Sequence, residues 1–180
     1  MPPNNPTTAL LLAALLGLSQ CQKKNAPAPA DQLPPATQTG ANTFGCLVNG
    51  QVWTPQGYNG TSNYSVSYDP NYRKGTLNIG TYRYDAKDPN SLQSIVLYSD
   101  SLLSKGQYLL NKPAHQEAVF SDSKSGCQFE GFGKNYCRGT LTITRLDLQA
   151  GVVAGTFAFT LYKPGCDSVR VTQGRFDKKL

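Results

Sequence analysis

The length of the chain, 180 residues, is enough for one folded domain of roughly 130 to 140 residues after a leader and a linker. The chain is basic, with 17 Lys and Arg against 11 Asp and Glu. The basic residues are scattered and form no stripe, so we expect a basic soluble surface and no nucleic-acid partner. Ten Tyr, seven Phe, 17 Gly and 12 Pro are typical of an antiparallel β-protein with many turns.

Residues 1–20 are predicted to be a lipoprotein signal peptide. Their apolar run, residues 9–18, is too short to span a bilayer and has the length of a signal-peptide core. It is followed by Leu18-Ser-Gln-Cys21, which resembles the lipobox of bacterial lipoproteins. That resemblance implies cleavage before Cys21 and acylation of the new N-terminal cysteine. Because Gln20 is larger than the usual residue there and residues 1–8 carry no positive charge, ordinary secretion with cleavage near Cys21 is the alternative.

Residues 21–43 are predicted to be the lipidated Cys21 and a flexible linker. The segment is rich in Pro, Ala, Thr and Gln and has no apolar period. As a coil its ends would lie roughly 25 Å apart. Acyl chains on Cys21 would hold the protein on a membrane. We therefore expect an outer-membrane lipoprotein of the cell envelope, facing the periplasm or the surface.

Residues 44–180 are predicted to form a single β domain. The clearest signal is Asn49-Gly50 between two short β runs, because this dipeptide supplies both positive-φ positions of a type I′ hairpin turn. Further strand-like runs are predicted at residues 64–68, 75–84, 92–99, 106–110, 116–121 and 126–131, with a turn at 85–90.

The stretch from Gly139 to Asp177 is predicted to be a three-stranded meander. In its middle run Phe157, Phe159 and Leu161 point to one side and the alternating residues point to the other. Such an apolar face is not stable alone, so the preceding strands must cover it. With about nine or ten short strands and no helical period, we predict an all-β antiparallel β-sandwich; a partly open barrel is the alternative.

Several segments resemble a family of Bacteroidota-type lipoproteins, whose exported β-rich domain has no known function. The segments are 44–53 (Phe44-Gly-Cys-Leu-Val-Asn-Gly-Gln-Val-Trp53), 139–147, 153–159 and 173–177, and together they run through nearly the whole domain in order. The resemblance implies an exported, lipid-anchored β-rich domain. It carries over no catalytic or binding residue.

Four cysteines in the domain predict up to two structural disulfides. In an exported chain Cys46, Cys127, Cys137 and Cys166 allow three pairings. Cys127–Cys166 is favoured, since it would tie a hairpin to a turn of the meander, and the short Cys127–Cys137 loop is the alternative. Cys46 and Cys137 are then either paired with each other or free. No C-x-x-C spacing supports a zinc site.

No residue is predicted to be catalytic, and no metal or cofactor is expected. His115, the only histidine, lies in a predicted loop and is interpreted as a solvated side chain. Glu117 and Glu130, the only glutamates, have no neighbour that marks a raised-pKa acid. The Asp and Asn residues around Pro70 and Pro89 are interpreted as turn formers, not calcium ligands.

Aromatic side chains give the candidate ligand contacts. Trp53, Tyr58, Tyr64 and Tyr68 lie close together in the sequence and would stack on a sugar if exposed, whereas packing in the core is the competing interpretation. We therefore expect a non-catalytic, lipid-anchored binding or structural module whose partners are the membrane and a glycan or an envelope protein. The alternatives are a carrier of a small apolar ligand in a barrel-like fold and a glycan-binding surface protein.

Overall fold

The computed structural model describes residues 27–111, 115–129 and 136–180, and within them β-strands dominate. A short 3₁₀ helix, Pro29–Gln32, comes first. The eleven strands are β1 (Thr43–Val48), β2 (Gln51–Trp53), β3 (Tyr64–Asp69), β4 (Thr76–Asp85), β5 (Asp88–Ser99), β6 (Gly106–Leu109), β7 (Gln116–Asp122), β8 (Cys127–Phe129), β9 (Tyr136–Asp147), β10 (Val152–Tyr162) and β11 (Val169–Lys179). The sequence predicted about nine or ten, and each predicted run overlaps one of these strands.

The strands form two antiparallel sheets. Sheet A has the order β2-β1-β11-β10-β9-β6, and sheet B has the order β3-β4-β5-β7-β8. The sheets share no strand, and their inner faces enclose one hydrophobic core. The architecture is therefore the predicted β-sandwich and not a partly open barrel.

The predicted meander forms the centre of sheet A. On β10 the side chains of Phe157, Phe159 and Leu161 are buried against sheet B, while Thr156 and Ala158 are exposed on the opposite, outer face. This confirms the alternation predicted from the sequence. Sheet B supplies the cover that the apolar face of the meander requires.

Two turns show how local chemistry sets the strand ends. Asn49 and Gly50 have φ values of 49° and 80°, so the predicted hairpin turn has both positive-φ positions. The predicted turn at 85–90 is shorter in the structure, because Asp85 already pairs with Asp88 across the hairpin. The Asp85 N–H also donates a hydrogen bond to the Ser91 hydroxyl at 2.8 Å, which adds a contact between the two strands near the tip of this hairpin.

Residues 33–42, here called the strap, cross the outer face of sheet A where β1 begins and β11 ends. Leu33 is buried, and Pro34 lies so close to Gly45 that a Cβ added there would be 2.7 Å from the Pro34 Cδ. Val152 and Ala154 are buried on this outer face, apart from the main core. The strap falls in the segment predicted to be a flexible linker, but the packed structure already begins before residue 44, since the 3₁₀ helix Pro29–Gln32 lies beside β1 and β2.

A single buried carboxylate holds the strap in place. Asp177 is 0% exposed and accepts hydrogen bonds from the Thr37 hydroxyl at 2.6 Å and from the backbone N–H groups of Thr39, Gly40 and Ala41 at 2.8, 2.7 and 3.1 Å. Burial alone would raise the pKa of Asp177, but these hydrogen bonds to the ionised form outweigh it and hold the pKa below its ordinary value. The strap is thus fastened through a charge, which explains why no apolar period marked it.

One disulfide joins the two sheets. Cys127, at the start of β8 in sheet B, is bonded to Cys166 in the turn between β10 and β11. This confirms the favoured pairing. Cys46 and Cys137 are free thiols, and burial raises the pKa of Cys46 to about 12, which leaves it protonated and unreactive at neutral pH.

Candidate binding cleft

The four aromatic residues predicted as ligand contacts do not share an exposed surface. Trp53 and Tyr64 are 0% and 6% exposed and pack in the core around Phe44. Tyr68 is half-buried and donates its hydroxyl hydrogen to the Leu102 carbonyl at 2.7 Å. Tyr58 alone is well exposed, at 71%. Core packing is therefore the correct interpretation for Trp53 and Tyr64.

A cleft of about 700 Å³ opens between the two sheets beside the β1–β2 turn. Apolar walls come from Trp53, Phe120 and Phe129, and the Cys127–Cys166 disulfide lines one side. The volume lies in the range of small-ligand sites. The disulfide joins the two walls, so it limits how far the sheets can separate here.

Polar side chains form a row across the floor of this cleft. Arg83 on β4, Gln93 on β5 and Asp122 on β7 are cross-strand neighbours in register. The Arg83 Nε donates to the Gln93 Oε1 at 2.6 Å, and the Gln93 amide donates to the Asp122 Oδ2 at 2.7 Å. The indole N–H of Trp53 donates to the same Gln93 oxygen at 3.1 Å. The row is therefore fixed by hydrogen bonds that each member makes to the next.

Arg83 is the member of this row that has a hydrogen-bond donor left for a ligand. Its guanidinium lies over the Trp53 ring at 5.8 Å, and one terminal nitrogen donates to the Val52 carbonyl at 3.4 Å. Among the described residues no acceptor bonds its other terminal nitrogen. Burial lowers the pKa of Arg83 and the charge of Asp122 opposes that shift. The guanidinium remains charged and can donate to a ligand.

The sequence contains a signal for this row that the strand predictions did not use. On β4, Leu77, Ile79 and Thr81 point into the core, and Arg83 is the next residue of that alternation. Gln93 stands in the same relation to Ile95 and Leu97, and Asp122 to Ala118 and Phe120. Three strands thus each place a polar residue at an inward position, near the strand end on β4 and β7 and in the middle of β5. Such departures from an apolar pattern mark candidate functional positions.

His115 lies elsewhere, and its side chain is largely exposed, as the sequence predicted, but also contacts a buried carboxylate. Its Nδ1 is 2.7 Å from the Asp100 Oδ2, and the His115 side chain is 61% exposed while that of Asp100 is 7% exposed. Arg73 lies 3.8 Å from the same carboxylate. No hydroxyl or thiol of a described residue hydrogen-bonds to the imidazole. The pair orients an imidazole without presenting a bonded nucleophile.

The Asp and Asn residues considered as calcium ligands cap their own turns. The Asp69 Oδ1 accepts from the N–H groups of Asn71 and Tyr72, and the Asp88 Oδ1 accepts from that of Asn90. These are Asx turns, as the interpretation from the sequence proposed. In the described ranges no three or more His, Cys, Asp or Glu side chains gather in a way that could hold a metal ion.

Two sequence predictions fall outside the described residues: Cys21 with its signal peptide, and Glu130. In the described part of the chain, no helix has the length and apolar character needed to cross a bilayer. Comparison with known proteins finds no matching family model, curated protein or solved structure. The resemblance to Bacteroidota-type lipoproteins therefore stays a prediction.

Proposed function

We propose that the protein is a lipid-anchored, non-catalytic binding module of the cell envelope, and that its cleft binds the end of an uncharged glycan. The in-register row of Arg83, Gln93 and Asp122 carries the proposal. Three polar side chains that are cross-strand neighbours place donors and acceptors side by side, and the hydroxyls of a sugar can both accept and donate hydrogen bonds. The hydrogen bonds along the row fix these groups before a ligand arrives, which lowers the entropic cost of binding.

The charge of the cleft supports an uncharged ligand. Arg83 brings one positive charge to the lining, whereas Asp122 and Asp167 bring two negative charges. A strongly anionic ligand would meet both carboxylates, and a strongly cationic one would meet the guanidinium. A wholly apolar ligand would displace water from the Arg83 terminal nitrogen that has no acceptor in the row and would offer it none. These considerations favour a sugar over the apolar cargo of a carrier.

Trp53 makes the proposal directly measurable, because it is the only tryptophan in the chain and touches both Arg83 and Gln93. We expect neutral mono- and oligosaccharides, titrated into the full chain, to change Trp53 fluorescence saturably for at least one sugar. A glycan array would select the sugars to titrate. If no sugar changes the fluorescence or gives heat by calorimetry, the glycan proposal fails.

Two variants test whether the cleft is responsible. Ser168→Tyr places a bulky side chain at the exposed rim and should abolish the fluorescence response, and Arg83→Lys should weaken it because the planar fork of donors is lost. Ser67→Tyr, on an exposed position of β3, is the matched control. Equal binding by Ser168→Tyr and Ser67→Tyr would place the ligand elsewhere.

The anchoring part of the proposal concerns Cys21 and rests on the lipobox-like sequence. Because the 3₁₀ helix Pro29–Gln32 already lies beside β1 and β2, only eight residue steps separate Cys21 from the packed structure, and they span at most roughly 28 Å. The domain would therefore stay near the membrane. Mass spectrometry of the mature N-terminus should show an acylated Cys21, and Cys21→Ser should release the chain from the membrane fraction. An unacylated N-terminus at another position would refute anchoring.

A further inference from the structure

The outer face of sheet A is divided into two parts. The strap covers the part around Asp177, and the rest, here called the open face, is exposed on β9, β10 and β11. The register of these strands fixes which side chains are neighbours there. Tyr136 pairs with Tyr162, and in the next outward row Arg138 pairs with Thr160, which pairs with Arg170.

The two arginines of the open face are exposed and unpaired. Arg138 and Arg170 lie on either side of Thr160, so two strand spacings separate their backbones by roughly 10 Å. Neither guanidinium forms an ion pair or a hydrogen bond with a described residue. Arg145 and Arg175, at the covered part, instead donate to carbonyl groups of the strap.

Carboxylates are placed away from this pair. Among the described residues of the outer face, the two carboxylates on β9 and β11 are Asp147, which is paired with Arg145 at 2.8 Å, and Asp177, which is buried under the strap. Asp167 follows β10 but lines the cleft. The open face therefore has a positive potential that nothing on its own strands neutralises.

The rest of the open face carries half-exposed aromatic rings and small side chains. Tyr136 and Tyr162 are each 48% exposed, so each presents part of a ring beside the arginine row. On the other side of that row come the small side chains of Thr140 and Ala158, which pair with each other. Small and hydroxyl-bearing side chains leave room for a rigid polymer to contact the sheet.

We propose that the open face binds an acidic polysaccharide, with Arg138 and Arg170 clamping successive carboxylates and the two tyrosines contacting sugar rings. Arginine forms planar, bidentate hydrogen bonds with a carboxylate, which gives the contact geometry as well as charge. Binding to an anionic lipid surface is favoured by clusters of basic residues together with apolar side chains that insert into the bilayer. The open face has two arginines on a rigid sheet and flat half-exposed rings, which fits a polysaccharide better.

The test uses the full chain and immobilised polygalacturonate, with neutral dextran as the uncharged comparison. We expect binding to polygalacturonate that weakens as salt increases, and no binding to dextran. The double variant R138A/R170A should lose about ten-fold or more in affinity. R138K/R170K keeps the charge and loses the bidentate geometry, so it should fall between the wild type and the double alanine variant.

The matched control is K74A/K105A, which removes the same charge from exposed positions outside the open face. If this control loses as much affinity as R138A/R170A, binding follows net charge and the proposed site is wrong. Binding to anionic phospholipid vesicles with none to polygalacturonate would also overturn the proposal. Because R138A/R170A leaves the cleft intact, its Trp53 response to neutral sugars should be unchanged, so the two proposals can fail separately.

Discussion

The two ends of sheet A differ in whether their polar side chains are engaged by the fold or accessible to a ligand. At one end the strap covers the outer face, and one carboxylate, Asp177, satisfies four donors of the covering segment. At the other end no segment in the described part of the chain covers the outer face, the Cys127–Cys166 disulfide joins the sheets, and a cleft and two arginines without a described partner remain accessible. The polar groups of the strap end are engaged within the fold, whereas at the cleft end one terminal nitrogen of Arg83 and the guanidinium groups of Arg138 and Arg170 can donate to a ligand.

This difference implies that stability and binding can be separated by mutation. Changes at the strap end should lower stability and leave both binding surfaces intact. Changes in the row of the cleft or on the open face should alter binding with less effect on stability, since the side chains of the row are only half-buried and those of the open face are exposed. The disulfide is the exception, because it belongs to the cleft wall and to the cross-link between sheets.

The largest effect is expected from Cys127→Ala/Cys166→Ala. Removing a cross-link with a sequence separation of 39 should lower the free energy of unfolding by about 4 kcal/mol in the chain-entropy model, as measured by urea unfolding. It should also weaken the Trp53 response to a sugar, because the cleft walls are no longer joined. Reductant should destabilise the wild type to the same level and leave the double variant unaffected; a further shift in that variant would contradict a single structural disulfide.

The next largest effect should follow from Asp177→Ala. It removes a charged acceptor shared by several donors, and we expect a loss of about 2–3 kcal/mol, limited by the strap's ability to detach and become hydrated. Hydrogen exchange should show lost protection at the Thr39, Gly40 and Ala41 amides while β10 stays protected. Unchanged protection there would mean that Asp177 does not hold the strap. Binding to both ligands should match the wild type.

A smaller effect is expected from Gly45→Ala, which tests the strap without altering a charge. The added Cβ would lie 2.7 Å from the Pro34 Cδ, so the strap must shift or lift. Overpacking of this kind should cost about 1–2 kcal/mol by urea unfolding. Gly50→Ala is an informative comparison, since nothing lies within 4 Å of its added Cβ and only its positive φ is strained. Loss of strap protection in Gly50→Ala but not in Gly45→Ala would contradict the packing described.

The contrast between the ends also explains how far the sequence could predict this molecule. The sandwich, the Asn49-Gly50 turn and the Phe157–Phe159 alternation depend on residues close in sequence, so pattern and turn chemistry were sufficient. The strap depends on hydrogen bonds between Thr37 and Asp177, which are 140 residues apart. No local property of a Pro-rich segment indicates which distant carboxylate will receive its amides.

The candidate site was only partly predictable for a related reason. Aromatic content alone could not separate Trp53 and Tyr64, which fill the core, from Tyr58, which is exposed, because burial depends on sheet packing. The polar row was in principle detectable, since Arg83 and Gln93 break inward-facing apolar alternation. Their meeting in register, however, required the strand order β4-β5-β7. The open face likewise became visible only when Arg138 and Arg170 were placed on either side of Thr160.

The last prediction concerns how stability depends on pH, and it isolates the charge of the strap end. Little change is expected near neutral pH, so this is the smallest effect there. The pKa of Asp177 is lower in the folded state than its ordinary value near 3.8, so its ionised form is favoured by folding. The resulting stabilisation should be complete above that ordinary value and be lost as pH falls through the lower folded pKa. Arg145 and Arg175 donate hydrogen bonds to carbonyl groups of the strap, and Asp147, whose pKa is also lowered by Arg145, shifts stability in the same direction.

Comparison of the wild type with Asp177→Asn removes the Asp147 contribution, since both proteins contain it. The difference in unfolding free energy between the two should be constant from about pH 7 to pH 5 and should shrink steadily below about pH 4, where protonation makes Asp177 resemble the amide. Urea unfolding at each pH measures it. A difference that stays constant down to pH 2.5 would show that the strap is held by shape alone, and the distinction between a charge-fastened end and a ligand-accessible end would then rest only on the cleft and the open face.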